Sequence, residues 1–330
     1  MSDSTPAPPL AGRRVLVTGG SGFIGRQVVK TLGAAGAHVR VVDLLPHPDP
    51  SVEIVLGNIA DVDVIDRAYE GGFDGVVHLA AVTSVLKSME QPELTYQTNV
   101  AGTYRLLEGA RHAGVKSLVF ASTGGAITGP MEEPKITERA LLRPMTPYGA
   151  TKAAAEMLMY AYTYSYDVRC TYLRFANVYG PGMQLKDSIV ARLMRCVRLG
   201  TAFEIYGEGN QVRDYVNVLD VLEAIKLALT DERWSGPVLL ASGTSLSVHE
   251  VVAEVKQVTG ADFPVTNIAA KKGEMPAVII DNSRARSLGW EPKIDFHDGV
   301  VGVWDEWKDI DIEGALAVPG GAGMASGGAT

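Results

Sequence analysis

Apolar residues fall alternately into short unbroken runs and helical stripes. Arg13–Val17 is a continuous, β-branched-rich run, the pattern of a parallel strand buried on both faces. A Gly-rich turn follows, then Phe23–Ala34 with apolar residues at helical spacing. His38–Val42 is the next strand, Asp61–Tyr69 a helix and Gly75–Leu79 a strand. Pro92 opens a long helix over 92–113, because proline suits the first helical turn. Lys116–Ala121, Pro147–Ser165 and Arg169–Phe175 continue as strand, helix and strand. The alternation predicts an α/β fold, a Rossmann-like doubly wound parallel sheet. Past about residue 178 the rhythm loosens. Ser188–Leu199 has helical spacing, Asp220 precedes a helix over Val221–Leu229, and Val238–Ala241 is one more strand. Ser247-Val-His-Glu250 has the form of a capping box and opens another helix.

The composition narrows the function. A chain of 330 residues suggests two domains, and 46% hydrophobic with 21% charged residues is globular. Thirty Lys and Arg against 38 Asp and Glu leave a net charge of −8, which argues against nucleic-acid or anionic-membrane partners. An anionic ligand must then be held by a few placed cations. Cys170 and Cys196 fit no zinc or redox spacing, and a reducing, cytoplasmic setting is expected. The six histidines include no HExxH, so no metal site is expected. No apolar stretch approaches the ~18 residues of a membrane span, and MSDSTPAPPL lacks the regions of a signal peptide.

The first strand runs into Thr18-Gly19-Gly20-Ser21-Gly22-Phe23-Ile24-Gly25. Gly19, Gly22 and Gly25 fit GxxGxxG between a strand and a helix, the setting in which glycines let a pyrophosphate approach backbone N–H groups. Asp43 ends the second strand, where a carboxylate accepts both ribose hydroxyls of NAD and repels the 2′-phosphate of NADP. Asn58 and Ile59, after a third β run, are placed beside the adenine. This makes 12–178 a NAD-binding domain, with 212–242 expected to return to it. Residues 179–211 and 243–313 are left as a smaller α/β substrate-binding domain. The Pro-rich 1–11 and Gly-rich 314–330 bury too little to order and are expected to be a disordered arm and tail.

Tyr148-Gly-Ala-Thr-Lys152 places a phenol and an ammonium four residues apart, on one helix face. A nearby Lys⁺ favours phenolate, so the pair is expected to lower the phenol's pKa and make Tyr148 a base.

With these motifs the chain resembles the extended short-chain dehydrogenase/reductases, specifically the NAD-dependent nucleotide-sugar epimerases and dehydratases. The resemblance covers about residues 13–312. It is carried by VTGGSGFIG at 17–25, HLAA at 78–81, Asn99-Val-Ala-Gly-Thr103, FASTGGAITG at 120–129, PYGATK at 147–152, RFANVYGPG at 174–182 and YGEGNQVRDYVNVLDV at 206–221. The resemblance implies a catalytic set of Thr123, Tyr148 and Lys152, with Thr123 on the sugar 4-oxygen and Ser122 beside it toward substrate. It adds Phe23, Ile24, Leu79, Ala80, Ala81 and Asn99 to the cofactor site. On the substrate side it implies Asn177 and Arg213 at the diphosphate, Lys271 in a second cationic position, and the edge segment at Phe203 against uracil. The 4,6-dehydratases of the family follow this Thr with Asp-Glu, and this chain has Gly124-Gly125. The pattern is most similar to UDP-glucose (UDP-galactose) 4-epimerases. The implied reading is therefore reversible hydride transfer on a UDP-hexose, with a nucleotide-sugar 4-ketoreductase, or a UDP-glucuronate or UDP-N-acetylhexosamine 4-epimerase, as alternatives. A homodimer through the 92–113 and 147–165 helices is also implied. Three departures stand out: Thr128 where the family has Tyr, Lys271 where it has Arg, and Thr83 where some epimerases have Lys. Arg192, Arg195 and Arg198, at i, i+3 spacing, read as a solvated helix face.

Overall fold

Val15, Leu16 and Val17 are each at most 1% exposed, because β1 (Arg14–Thr18) lies inside a sheet covered on both faces. The computed structural model describes residues 10–129, 135–269 and 277–312. After β1 come α1 (Phe23–Ala34), β2 (His38–Asp43), β3 (Glu53–Leu56), α2 (Val62–Tyr69) and β4 (Gly75–His78). Next are α3 (Val85–Glu90), α4 (Pro92–Tyr96), α5 (Gly102–His112), β5 (Ser117–Thr123), β6 (Lys135–Ile136), α6 (Pro147–Tyr166) and β7 (Arg169–Phe175). The chain continues through β8 (Asn177–Tyr179), α7 (Ile189–Leu199), β9 (Phe203–Tyr206), β10 (Val212–Asn217), α8 (Val218–Thr230) and β11 (Gly236–Leu240). It closes with β12 (Ser245–Ser247), α9 (Val248–Thr259), β13 (Val265–Ile268), β14 (Ala277–Ile280), α10 (Ser283–Ser287) and α11 (Phe296–Trp307).

Seven strands form one sheet in the order β3-β2-β1-β4-β5-β7-β11, parallel throughout. The order reverses between β1 and β4, and a crevice at such a switch point, beyond the strands' carboxyl ends, is where α/β sheets take ligands. Side chains alternate across the sheet. Val15 and Val17 join one core with Val28, Leu32, Ile225 and Trp234, while Leu16 joins another with Leu106, Leu118 and Met159. A third core, around Leu193, Met194, Val251, Val255 and Trp307, holds the C-terminal elements together.

Four details differ from the sequence pattern. The helix expected over 92–113 is α4 and α5 joined by a π-helical turn at Gln97–Ala101, which carries Asn99. α3 has no counterpart in the sequence reading. α8 starts before Asp220: Asn217 caps it by accepting from Leu219 N, while buried Asp220 accepts from Lys293 N and Ile294 N. The 212–242 stretch divides, with β11 on the large sheet and β10 in a smaller one, ordered β12-β10-β14-β6, with β8 also on β10. Residues 1–9, 313–330 and Lys271 lie outside the described residues.

Candidate active site

Gly19 has a φ of +72°, and a Cβ there would lie 2.7 Å from Ala80 N, in the loop after β4. Only glycine takes that conformation at that approach. A Cβ on Gly25 would run into the carbonyl oxygen of Gly19, so α1 starts hard against its own loop. Gly22 caps α1 with no side-chain bond, and the first turn has no acidic residue. Those N–H donors suit an anion. A Cβ on Gly22 would meet only Gly19 O, at 3.3 Å, so that side of the loop is an open cradle. Asp43 closes the cradle's far end. Its Oδ2 accepts from Ser21 N at 2.9 Å and its Oδ1 from Leu45 N at 3.1 Å. Ser21, which the sequence reading passed over, also donates to Leu45 O at 2.9 Å. The loop and the carboxylate are one unit, and they fit a dinucleotide.

Other residues expected at the cofactor divide. Leu79 and Ala80 border Gly19, and Ala81 follows them in the chain. Ile24 packs on the sheet, whereas Phe23 packs on the C-terminal core and spans the two parts. Asn58 Oδ1 accepts from Ala60 N at 3.0 Å. The side chain of Ile59 is core, 4% exposed and under Gly102, and does not line an adenine site. Asn99 is spent within the protein: it accepts from Val82 N at 2.8 Å and donates to Val82 O and Thr151 Oγ1, each at 3.0 Å. It anchors the loop beyond Ala81, with both amide hydrogens and one oxygen position in use. A further strut lies beneath. Thr103 Oγ1 donates to Asn99 O at 2.6 Å, so it must accept from His78 Nε2, 2.9 Å away. That leaves His78 Nδ1 to accept from Thr18 Oγ1 at 2.7 Å. Burial, then Lys152, pushes His78 down to about 3, so it stays neutral.

The start of α6 is set by three groups. Thr146 accepts from Gly149 N at 3.3 Å, Pro147 takes the first position, and Ser88 on α3 accepts from Tyr148 N at 3.2 Å. A Cβ on Gly149 would collide with Ala126 O, which locks α6 against the loop after β5. This brings Tyr148 beside Thr123, whose hydroxyl draws the phenol's pKa down against burial. Lys152 Nζ donates to Ala121 O at 2.8 Å and lies 4.5 Å from the Phe120 ring centroid.

The expected effect of Lys152 on the phenol is not what this geometry gives. Burial pushes Tyr148 up to about 12, against a smaller lowering by Thr123. Burial pushes Lys152 down to about 7, opposed by Glu156 and assisted by Lys186. The reason is direction: the ammonium is turned onto a backbone carbonyl and an aromatic ring. Forming phenolate here needs a further positive charge in the cleft. Ser122 is also corrected. It points to the opposite side of β5 from Thr123, is buried, and donates to Glu156 Oε1 at 2.6 Å rather than facing substrate.

On the substrate side, β8 and β10 run side by side with Asn177 opposite Tyr215. Asn177 is exposed and donates to Asp214 O at 3.2 Å, and Arg213 donates to Val212 O at 2.8 Å. The Phe203 ring is core, 3% exposed, and its N–H is taken by Pro264 O. The three arginines of α7 are not a solvated face. Arg195 holds Gln184 O and Lys186 O, Arg198 holds Lys308 O and Ile310 O, and Arg192 lies over the rings of Phe203 and Tyr206. Thr128 is buried and donates to Gly125 O, so it is part of a turn. Lys186, missed from sequence, presses electrostatically on Lys152 from the loop before α7. Its backbone is held by Arg195 from α7, a contact that no local spacing reveals.

The family described as NAD dependent epimerase/dehydratase matches residues 15–238. The UDP-glucose 4-epimerase of Mycolicibacterium smegmatis is 32% identical, over 87% of this chain and 96% of its own. Among solved structures, the Thermotoga maritima UDP-glucose 4-epimerase with UDP-glucose superposes at TM-score 0.84, with 32% identity, over 89% of this chain and 98% of its own. MoeE5 in complex with UDP-glucuronic acid and NAD gives 0.83 and 34%, again over 89% and 98%.

Proposed function

The chain belongs to the NAD dependent epimerase/dehydratase family, and from that membership we propose that it is a nucleotide-sugar 4-epimerase acting on a UDP-hexose. Gly19, Gly22, Gly25 and Asp43 would hold NAD, whose chemistry when bound is reversible hydride exchange with C4 of the sugar. Tyr148 takes the proton of the 4-hydroxyl and returns it. Thr123, on the same oxygen, orients it. Lys152 is turned onto the Ala121 carbonyl, so the phenolate needs a positive charge in the cleft beyond it. A 4-keto sugar that turns over between the two transfers comes back with its other configuration, so one phenol serves both directions.

The observation that carries this reading is Tyr148 set beside Thr123, with Gly124 and Gly125 following rather than carboxylates. Loss of water would need a further acid and base. Glu156, the carboxylate behind this site, is closed in an ion pair with Arg174. A UDP-hexose is supported by the names of the relatives and structural neighbours. The two free cysteines fit a cytoplasmic enzyme. The exposed Tyr104, Met157, Tyr160 and Tyr164 on α5 and α6 fit a homodimer through these helices.

The test is to follow UDP-glucose and UDP-galactose by NMR with no reduced cofactor added. Each should move toward the same mixture, without consuming cofactor. Tyr148→Phe should keep its NAD and lose roughly 10²–10⁴-fold in rate. A sugar that changes only with stoichiometric loss of added NADH or NADPH would make the enzyme a 4-ketoreductase instead.

A further inference from the structure

The end of β5 and one stripe of α6 meet rung by rung. Tyr148, Lys152 and Glu156 stand at i, i+4 and i+8, and they meet the Thr123 side chain, the Ala121 carbonyl and the Ser122 hydroxyl in turn. The first two rungs carry the proposed chemistry. The third faces away from the cleft, yet it is the most elaborate. Glu156 is fully buried and receives Arg174 twice, Nε on Oε1 at 3.0 Å and a terminal nitrogen on Oε2 at 2.7 Å, besides Ser122 at 2.6 Å. Arg174 is the register partner of Ser122 across β5 and β7, and it also donates to Glu138 O at 3.2 Å. Glu138 in turn accepts from Leu239 N at 3.0 Å. Two strands therefore converge on the Glu156 carboxylate, and Arg174 links it to Glu138, which holds a third strand, β11.

Stability is a poor reason for such a pair, since apolar residues of equal volume in place of a buried ion pair are often neutral or stabilising. Its place explains it better. We propose that Glu156, clamped by Ser122 and Arg174, is a positioning residue for the Tyr148–Lys152 pair: it fixes the rotation of α6 against β5 and keeps a negative charge one turn behind Lys152. The groups around Lys152 support this. Lys186 opposes its charge from the loop before α7 and His78 on β4 is neutral. Tyr148 shares its helix, and Arg174 on β7 is bound to Glu156 itself. Among these groups Glu156 is the one that sustains the ammonium against burial.

The inference rests on Tyr148 and Lys152 being the reacting pair, so it is tested by activity and by a signal independent of activity. Glu156→Gln, Ser122→Ala and the double variant Glu156→Met/Arg174→Met are compared with the parent. The double variant leaves no unpaired buried charge and keeps the test open where Glu156→Gln does not fold. In cofactor-free protein, the NMR titration of the Lys152 ε-methylene should move to lower pH by roughly one unit in the Glu156 variants, a tenfold change in proton affinity. In the loaded enzyme, kcat should fall roughly ten- to a hundredfold with little change in KM, the size expected for a misplaced reacting group. The alkaline limb of kcat should move to lower pH in step, and Ser122→Ala should show a smaller change in the same directions. A folded double variant with the parent's Lys152 titration and pH profile would overturn the proposal. A parent that moves no nucleotide sugar would overturn the proposed function instead, and the Lys152 titration would still decide the role of Glu156.

Discussion

Two lysines and a phenol set the chemistry at the scale of single residues. Lys152 lies near 7 when folded, against ~10.4 for an unfolded lysine. Between those values the unfolded chain binds a proton that the native protein does not, so this group makes stability rise as pH is raised through that window. Urea denaturation of cofactor-free protein at pH 7 and pH 9.5 should show a gain for the parent that Lys152→Met loses. Equal pH dependence in the two proteins would mean that Lys152 is not held as a buried amine. Lys186, which acts on Lys152 from the loop before α7, is proposed to meet the substrate's anionic groups. Lys186→Met should weaken UDP-glucose binding about ten- to a hundredfold by calorimetry, the size of a charge-assisted hydrogen bond. NAD binding should stay as it is, and unchanged UDP-glucose affinity would remove Lys186 from the substrate site.

Among the elements, α1 and α6 do the placing, and each is aimed by a glycine where another backbone comes too close for a Cβ. Gly25 lies under the carbonyl of Gly19, and Gly149 under that of Ala126. In Gly25→Ala the first turn of α1 must lift off the loop, turning its N–H donors out of line. NAD affinity should fall at least tenfold, on the order of one lost charge-assisted hydrogen bond. UDP affinity, proposed to depend on β8, β10 and the loop before α7, should hold. Equal NAD affinity by fluorescence titration would show that the helix start does not bind the pyrophosphate. Both helices were legible from apolar spacing and from Gly and Pro punctuation. The π turn at Gln97–Ala101 was not, because bonds from Asn99 to Val82 and Thr151 accompany it, and those residues are far away in sequence.

At the scale of the whole molecule, α5 and α6 expose aromatic side chains. Tyr160 and Tyr164 stack at 4.7 Å on α6 while 54% and 74% exposed, with Met157 one turn before and Tyr104 on the adjoining α5. Contiguous apolar surface of this kind marks an interaction site. If two copies meet there, Met157→Glu/Tyr160→Glu should sediment as a monomer where the parent sediments as a dimer. The charges are exposed in the monomer, so its fold should survive. A monomeric parent at micromolar concentration would end the dimer proposal.

The sequence by itself determined what is local or periodic. β-branched runs alternating with helical stripes implied the parallel sheet, GxxGxxG implied the cradle before α1, and the four-residue spacing of Tyr148 and Lys152 put them on one helix face. Tertiary structure alone decided where single side chains turn and what charge they carry. Ser122 goes to Glu156, Asn99 to Val82, Ile59 and Phe203 into cores, and the α7 arginines onto backbone carbonyls and rings. Neighbours from distant strands and loops fix those directions, and one residue's offset along a strand reverses its face. The phenol's charge belongs to the same class, because burial and the carbonyl that captures Lys152 outweigh the proximity that spacing alone conveys.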